Sequence, residues 1–295
     1  MVPAWAEEAP IAVLYPNLNE PYREIFEKII EGIKSKPGAP ISRHPLDSDT
    51  DLNALSSTLQ RQNSKVVIAL GRQGMQVASG LNKDIGVVIG GVLTATKSEA
   101  REQRVISLAP DPALLFAQMK MLMPTVKRVF VVYDPDINGW LIKLAAEAAQ
   151  AQGLELVANK AQDARSAIKF YQGIFAGANS RRDALWLPQD SSTVEERSIL
   201  PLVLQSSWDT NIAVFSSNSA HVRRGVLFSL YPNNVALGKS LTGLAHGLLT
   251  STAPQREILP LRDVLIAVNL RTAKHLGLNL NAGRHQSFDM TFPEQ

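Results

Sequence analysis

Ile11-Ala12-Val13-Leu14-Tyr15-Pro16-Asn17 and Val129-Phe130-Val131-Val132-Tyr133-Asp134-Pro135 share one pattern, an apolar run, a tyrosine, then a proline-containing turn. A short run without polar alternation predicts a strand covered on both faces, as in a parallel sheet. The offset that relates these two strands also carries Leu70-Gly71-Arg72-Gln73 onto Pro188-Gln189-Asp190-Ser191, again just past an apolar run. Two strands that find counterparts at one shift predict two similar βαβαβ lobes.

Working outward, the same alternation continues. Pro21 opens a helix on which Ile25, Phe26, Ile29, Ile30 and Ile33 recur at helical spacing. Strands are predicted over residues 65–70, 86–91 and 105–108, with a helix from about Gln73. In the second half, strands are predicted over 127–133, 154–158, 183–187 and 212–215. Helices are predicted over 138–152, closed by Gly153, and over 164–178 and 194–207. Beyond the repeat, a strand over 226–230, a helix over 233–249, a strand over 262–269 and a short helix to Leu276 follow, then a polar tail from Asn279. The fold class is therefore α/β, with two doubly wound parallel-sheet lobes joined by crossovers. The first lobe is expected to hold residues 9–109 and 232–260, the second 110–231 and 261–278, with tails at 1–8 and 279–295.

Composition narrows the function. The 295 residues are 45% hydrophobic and 19% charged, with a net charge of +3. No apolar run reaches the roughly 18 residues of a membrane span, so no direct membrane insertion is expected. The basic pairs Arg181-Arg182 and Arg223-Arg224 stand alone without interleaved aromatics, which argues against nucleic acid as a partner. The chain has no cysteine, which removes disulfides, thiolate catalysis and cysteine zinc sites. Ala4-Trp5-Ala6 before Glu7-Glu8 reads as the end of a cleaved secretory signal peptide, and so predicts a periplasmic protein.

Enzyme signatures fail in turn. Gly71-Arg72-Gln73-Gly74 lacks dinucleotide-loop spacing, and the stretch from Gly91 to Ser98 puts Thr96 where a phosphate loop needs glycine. There is no G-x-S-x-G elbow. The histidines His44, His221, His246, His275 and His285 form no metal-binding pair and are expected at the surface or as caps. No catalytic residues, metal or cofactor are therefore predicted. What remains is a polar set at strand carboxyl ends, where open α/β sheets bind ligands. It comprises Tyr15, Asn17, Arg72, Gln73 and Thr94 in the first half. The second half supplies Tyr133, Asp134, Asn138, Trp140, Gln189, Asp190, Ser191, Ser217, Asn218 and Tyr231. Hydroxyls, amides, carboxylates and aromatic faces suit a small polar ligand. Asp190 can pair with an ammonium group or cap the next turn, and Arg72 can clamp a carboxylate or lie in solvent.

Several motifs also carry a resemblance. Ala213-Val214-Phe215-Ser216-Ser217-Asn218, Val222-Arg223-Arg224-Gly225-Val226-Leu227-Phe228-Ser229-Leu230 and Leu237-Gly238 resemble the later half of ABC-transporter substrate-binding proteins related to TrpX. Val268-Asn269-Leu270-Arg271-Thr272-Ala273-Lys274-His275-Leu276-Gly277-Leu278 is similar to that family's closing motif, and Leu187-Pro188-Gln189-Asp190-Ser191-Ser192 and Tyr133-Asp134-Pro135 to two of its loops. The resemblance implies a type I periplasmic-binding fold with three crossovers, a small-molecule ligand in the interlobe cleft, and an ABC permease in the inner membrane as partner. It also implies that Gln73 and its neighbours meet a ligand carboxylate and Asp190 an amino group. Leu93-Thr94-Ala95 departs from the family's T-D-P, Asn218 replaces a common aspartate, and Arg72 replaces a small residue. These departures point to a ligand more acidic than a plain amino acid, or to sensing in place of transport. Alternative readings are a sensory subunit acting on a membrane receptor, and a doubly wound α/β enzyme.

Overall fold

The computed structural model describes residues 10–35, 40–93, 103–250, 257–278, 280 and 288–293. In chain order the elements begin β1 (Ile11–Pro16), α1 (Tyr22–Ser35), β2 (Ile41–Leu46), α2 (Leu52–Arg61), β3 (Val66–Leu70), α3 (Gly71–Ser79), β4 (Gly86–Val92) and β5 (Arg104–Pro110). There follow α4 (Pro112–Leu122), β6 (Arg128–Tyr133), α5 (Pro135–Ala151), β7 (Glu155–Lys160), α6 (Ala164–Gly177), β8 (Asp183–Leu187), α7 (Ile199–Thr210), β9 (Ala213–Ser216), α8 (Ala220–Arg224) and β10 (Phe228–Pro232). The chain closes with α9 (Asn234–Thr250), β11 (Glu257–Leu261), β12 (Val264–Asn269), α10 (Leu270–His275) and β13 (Met290–Phe292).

The chain divides into two compact units, residues 1–108 with 232–263 and residues 109–231 with 264–295. It therefore passes from one unit to the other three times. The first unit's sheet runs β11-β5-β4-β3-β1-β2 and the second's β13-β12-β10-β9-β8-β6-β7. From β2 to β5 and from β7 to β10 the neighbours are parallel and follow the same relative order, so the repeat read in the sequence is a repeat in topology. The two doubly wound lobes predicted are present.

In the second unit the period of two is visible in packing. Val129, Val131 and Tyr133 of β6 and Ala184 and Trp186 of β8 join one core with α4 and α5. Their neighbours Val132, Leu185 and Leu187 join the other, with α6 and α7. Both faces are covered, which is why these strands read as unbroken apolar runs. Phe116 of α4 meets Trp186 edge-on at 5.8 Å, and Phe215 stacks on Phe228 at 5.2 Å.

The first unit is closed differently. Helix α9 crosses α1 so closely that a methyl group at Gly238 would strike the Ile29 carbonyl, and one at Gly32 the Val235 carbonyl. Only two glycines allow that approach. Leu241 of α9 lies against Gly90 of β4, and Thr242 Oγ1 donates to Ile33 O at 3.3 Å.

Three expectations are corrected here. The helix predicted from residue 194 begins at Ile199, because Glu195 takes the Arg197 and Ser198 amides on its carboxylate and holds 195–198 in a turn. The polar tail contributes β13, which pairs in parallel with β12 over Met290–Phe292. His221 is only 3% exposed, not a surface residue. The elements β2, α2, α4, α8 and β11 carry weaker signals. Strand β2 lies at a sheet edge, contains Pro45 and alternates poorly in burial, as an edge strand permits.

Candidate functional site

In the second unit, parallel strands β6, β8 and β9 end side by side, so three turns converge at one sheet edge. Asp190 organises them. It is 6% exposed, and both carboxylate oxygens are used. Oδ2 accepts the Asp134 amide at 2.7 Å and Asn138 Nδ2 at 3.0 Å, while Oδ1 accepts the Ser192 and Thr193 amides at 3.0 Å each. Four donors fill the acceptor positions of one carboxylate. Asp190 thus ties the turn after β8 to the turn after β6.

The surrounding groups complete this framework. Asp134 caps α5 through the Asp136 amide at 2.9 Å, and Pro135 occupies the first turn, where its missing N–H costs nothing. Asn138, one turn into α5, is 1% exposed and also donates to Gln189 O at 3.1 Å. Thr193 Oγ1 donates to Val132 O, and Tyr171 OH donates to Thr193 O at 3.1 Å. Burial, reinforced by the nearby Asp190 charge, pushes the Tyr171 hydroxyl well above the usual phenol range and keeps it a donor.

A second cluster sits beyond β9. Ser217 Oγ accepts from Trp186 Nε1 at 3.0 Å, and the Ser217 amide donates to Leu187 O. Asn218 Oδ1 accepts the Ala220 amide, which turns Nδ2 toward His221 Nε2 at 3.3 Å. Nε2 is therefore the acceptor, and Nδ1–H donates to Ser216 Oγ at 2.9 Å. Burial holds the His221 ring down at about 4, against a smaller upward pull from Glu196. The imidazole is neutral at neutral pH.

The first unit's carboxyl edge is looser. Asn17 Nδ2 donates to Asp47 Oδ1 at 2.9 Å, and Gln73 Nε2 donates to Asp47 O at 2.8 Å. Tyr15 OH accepts from Arg43 Nη2 at 3.2 Å, with the guanidinium 5.3 Å from the ring centre. Gly71 and Gly91 both take φ of +70°, conformations a side chain would strain, where β3 and β4 end. Arg72 is exposed at the start of α3.

The structure thus joins Asp134, Asn138, Gln189 and Asp190 into one network, Ser217 and Asn218 into a neighbouring one, and Asn17 with Gln73 through Asp47. Tyr133 lies in the core below, and Ser191 is exposed in the turn after β8. Tyr231 stands at the end of β10, its hydroxyl raised first by burial and then by Asp289. Thr94 and Ala4-Trp5-Ala6 lie outside the described residues. Trp140 Nε1 and Gln189 Oε1 are buried and have no hydrogen-bond partner. Asp47, Thr193, Tyr171 and His221 were not legible as site residues; Asp47 alone had a signal, a carboxylate just past a strand end. Among the described residues no helix is long and apolar enough to cross a membrane, and no group of histidines and carboxylates could hold a metal.

Two α/β units of like strand order, threaded three times and carrying polar turns at their strand ends, define a type I periplasmic-binding fold. Over residues 31–283 the chain matches the family described as ABC transporter substrate binding protein, and it belongs to that family. This is a family of binding proteins rather than of enzymes. Its fold is similar to the ligand-free, open structure of a substrate binding protein with adhesive properties from Clostridium difficile. That match has a TM-score of 0.63 and 18% identity, covering 95% of this chain and 99% of the other. An ABC domain in complex with L-Trp from Streptococcus pneumonia matches at TM-score 0.55 and 17% identity, over 97% and 100% of the two chains. A periplasmic ribose ABC transporter protein from Conexibacter woesei matches at 0.50 and 16%, over 93% and 96%. No curated protein matches the chain significantly in sequence.

Proposed function

We propose that this chain is the periplasmic, ligand-capturing component of an ABC importer, and that its ligand is a small polar molecule of the amino-acid class. The observation that carries this reading is two unpartnered buried atoms on segments that leave the second unit's carboxyl edge, Trp140 in the second turn of α5 and Gln189 in the turn after β8. Trp140 Nε1 is a donor without an acceptor and Gln189 Oε1 an acceptor without a donor. Orphaned buried polar groups cost about 1–3 kcal/mol each. A ligand bearing both a carboxylate and an ammonium group supplies what each lacks. The bound L-Trp of the pneumococcal domain, a distant relative in fold, supports the same class. In this reading Asp190 is a positioning residue, already filled by four donors, and the ligand meets Trp140 and Gln189 with Asn218 and Ser191 at the rim.

Calorimetric titration of ligand-stripped protein with amino acids and dicarboxylates tests the proposal. One compound should bind saturably, and Trp140→Phe, which keeps the ring and removes the N–H, should weaken it about tenfold. Binding confined to sugars or nucleosides would overturn the ligand class. Affinity untouched by Trp140→Phe would remove the indole from the site.

A further inference from the structure

The second unit has a cavity of about 920 Å³ whose described lining residues include no carboxylate. It sits where α7, α8, α10 and β13 end. Strand β12 runs against β10, since Asn269 N donates to Leu227 O at the start of β10 and Asn233 N to Asp263 O beyond its end. Asn269 and α10 therefore stand at the amino end of the parallel strands, the sheet edge opposite Asp190.

Three arginines line the cavity, Arg223, Arg224 and Arg271, together with His275. Arg271 lies over the Trp208 ring at 5.5 Å and Arg223 over Phe292 at 5.7 Å. His275 stacks on Trp208 at 3.6 Å and donates from Nε2 to Trp208 O at 3.0 Å. Guanidinium groups laid on aromatic faces keep their charge while shedding part of their hydration, which favours pairing with oxyanions. Of the acidic groups nearby, Asp209 holds Gln205 Nε2 and Asp289 holds the Ile266 amide, while exposed Glu196 makes a loose ion pair with Arg224 at 3.9 Å, a surface pair worth little that an entering anion can displace. The volume is that of a small-molecule pocket.

We propose that this cavity is a second binding site, taking a small organic anion whose phosphate or carboxylate meets Arg271 and Arg224 and whose apolar body lies along the Trp208 wall. It is independent of the ligand at the opposite sheet edge.

Calorimetric titrations of the full chain with adenosine 5′-monophosphate, benzoate and inorganic pyrophosphate, at about 0.1 M salt, test the site. Either adenosine 5′-monophosphate or benzoate should bind at one site with a Kd below about 1 mM, more tightly than pyrophosphate. The better of the two identifies the charged group. Arg271→Gln and Arg224→Gln, both at exposed positions, should each weaken that binding about tenfold, whereas Lys169→Gln, which removes an exposed charge from α6, should leave it unchanged. No saturable binding to the wild type would overturn the proposal. So would binding undiminished in both arginine variants, equal loss in Lys169→Gln, or pyrophosphate binding as tightly as the organic anions.

Discussion

The two sheets share a strand order, yet their carboxyl edges are held by different means. In the second unit a nearly inaccessible carboxylate, Asp190, gathers three main-chain amides and one side-chain amide from two turns. In the first unit the corresponding turns meet at Asp47, whose contacts to Asn17 and Gln73 are exposed to water. Hydrogen bonds to a charged group away from solvent are worth more, and cost more to break, than the same bonds at the surface. One topology thus carries a rigid edge and a compliant one. Deletion of the two carboxylates should separate them most widely. Asp190→Ala removes four hydrogen bonds, three of them buried, and should cost about 4 kcal/mol in urea unfolding, against less than about 1 kcal/mol for Asp47→Ala. Equal losses would erase the contrast.

A second difference lies beneath the edges. The second unit is filled by large rings, Phe116 against Trp186 and Phe215, while the first depends on two glycines where α1 and α9 touch. Gly238→Ala pushes a methyl into the Ile29 carbonyl, and backbone cannot give way as a side chain can. It should cost about 3 kcal/mol, whereas Gly173→Ala in α6, where a methyl meets nothing within 4 Å, should gain about 0.5 kcal/mol from helix propensity. Thermal unfolding of the two variants reads both.

A third contrast concerns acid. Burial lowers the pKa of His44 in the first unit and of His221 in the second, the latter to about 4. A histidine whose folded value lies below its unfolded 6.5 binds protons preferentially in the unfolded chain. His221 thus contributes fully above pH 6.5, and its contribution falls as pH drops from 6.5 toward 4. By pH 5 the loss should be about 2 kcal/mol, and His221→Gln should flatten that limb of the stability curve. An unchanged acid limb in the variant would assign the sensitivity elsewhere.

Much of this was legible because burial on both faces leaves an unmistakable apolar run. The strands at Ile11, Lys65, Val129 and Asp183 were readable for that reason, and their constant offset exposed the repeat. Edge strand β2 and the late β11 and β13 were harder, since one-sided or partial burial relaxes the pattern. Among the candidate site residues, Asp134, Asn138, Gln189 and Asp190 were singled out by their position past strand ends, and the structure joins them in one hydrogen-bond network. Their division of labour was not, because whether a carboxylate faces a ligand or four main-chain amides depends on turns that sequence spacing does not specify. His221 and Tyr171 were missed for a related reason: nothing in a lone histidine or tyrosine tells whether it lies inside.

The late arrival of α9 in the first unit has a consequence for biogenesis. Strand β5 hands the chain to the second unit, and α9, which covers β3 and β4, is made only after strands β6 to β10 of the second sheet. Gly86 and Gly90 then lie bare of Leu248 and Leu241 until residues 234–250 have left the ribosome. At ordinary elongation rates that interval lasts about ten to thirty seconds. A nascent chain of this design emerges with one face of its first sheet still lacking its covering helix.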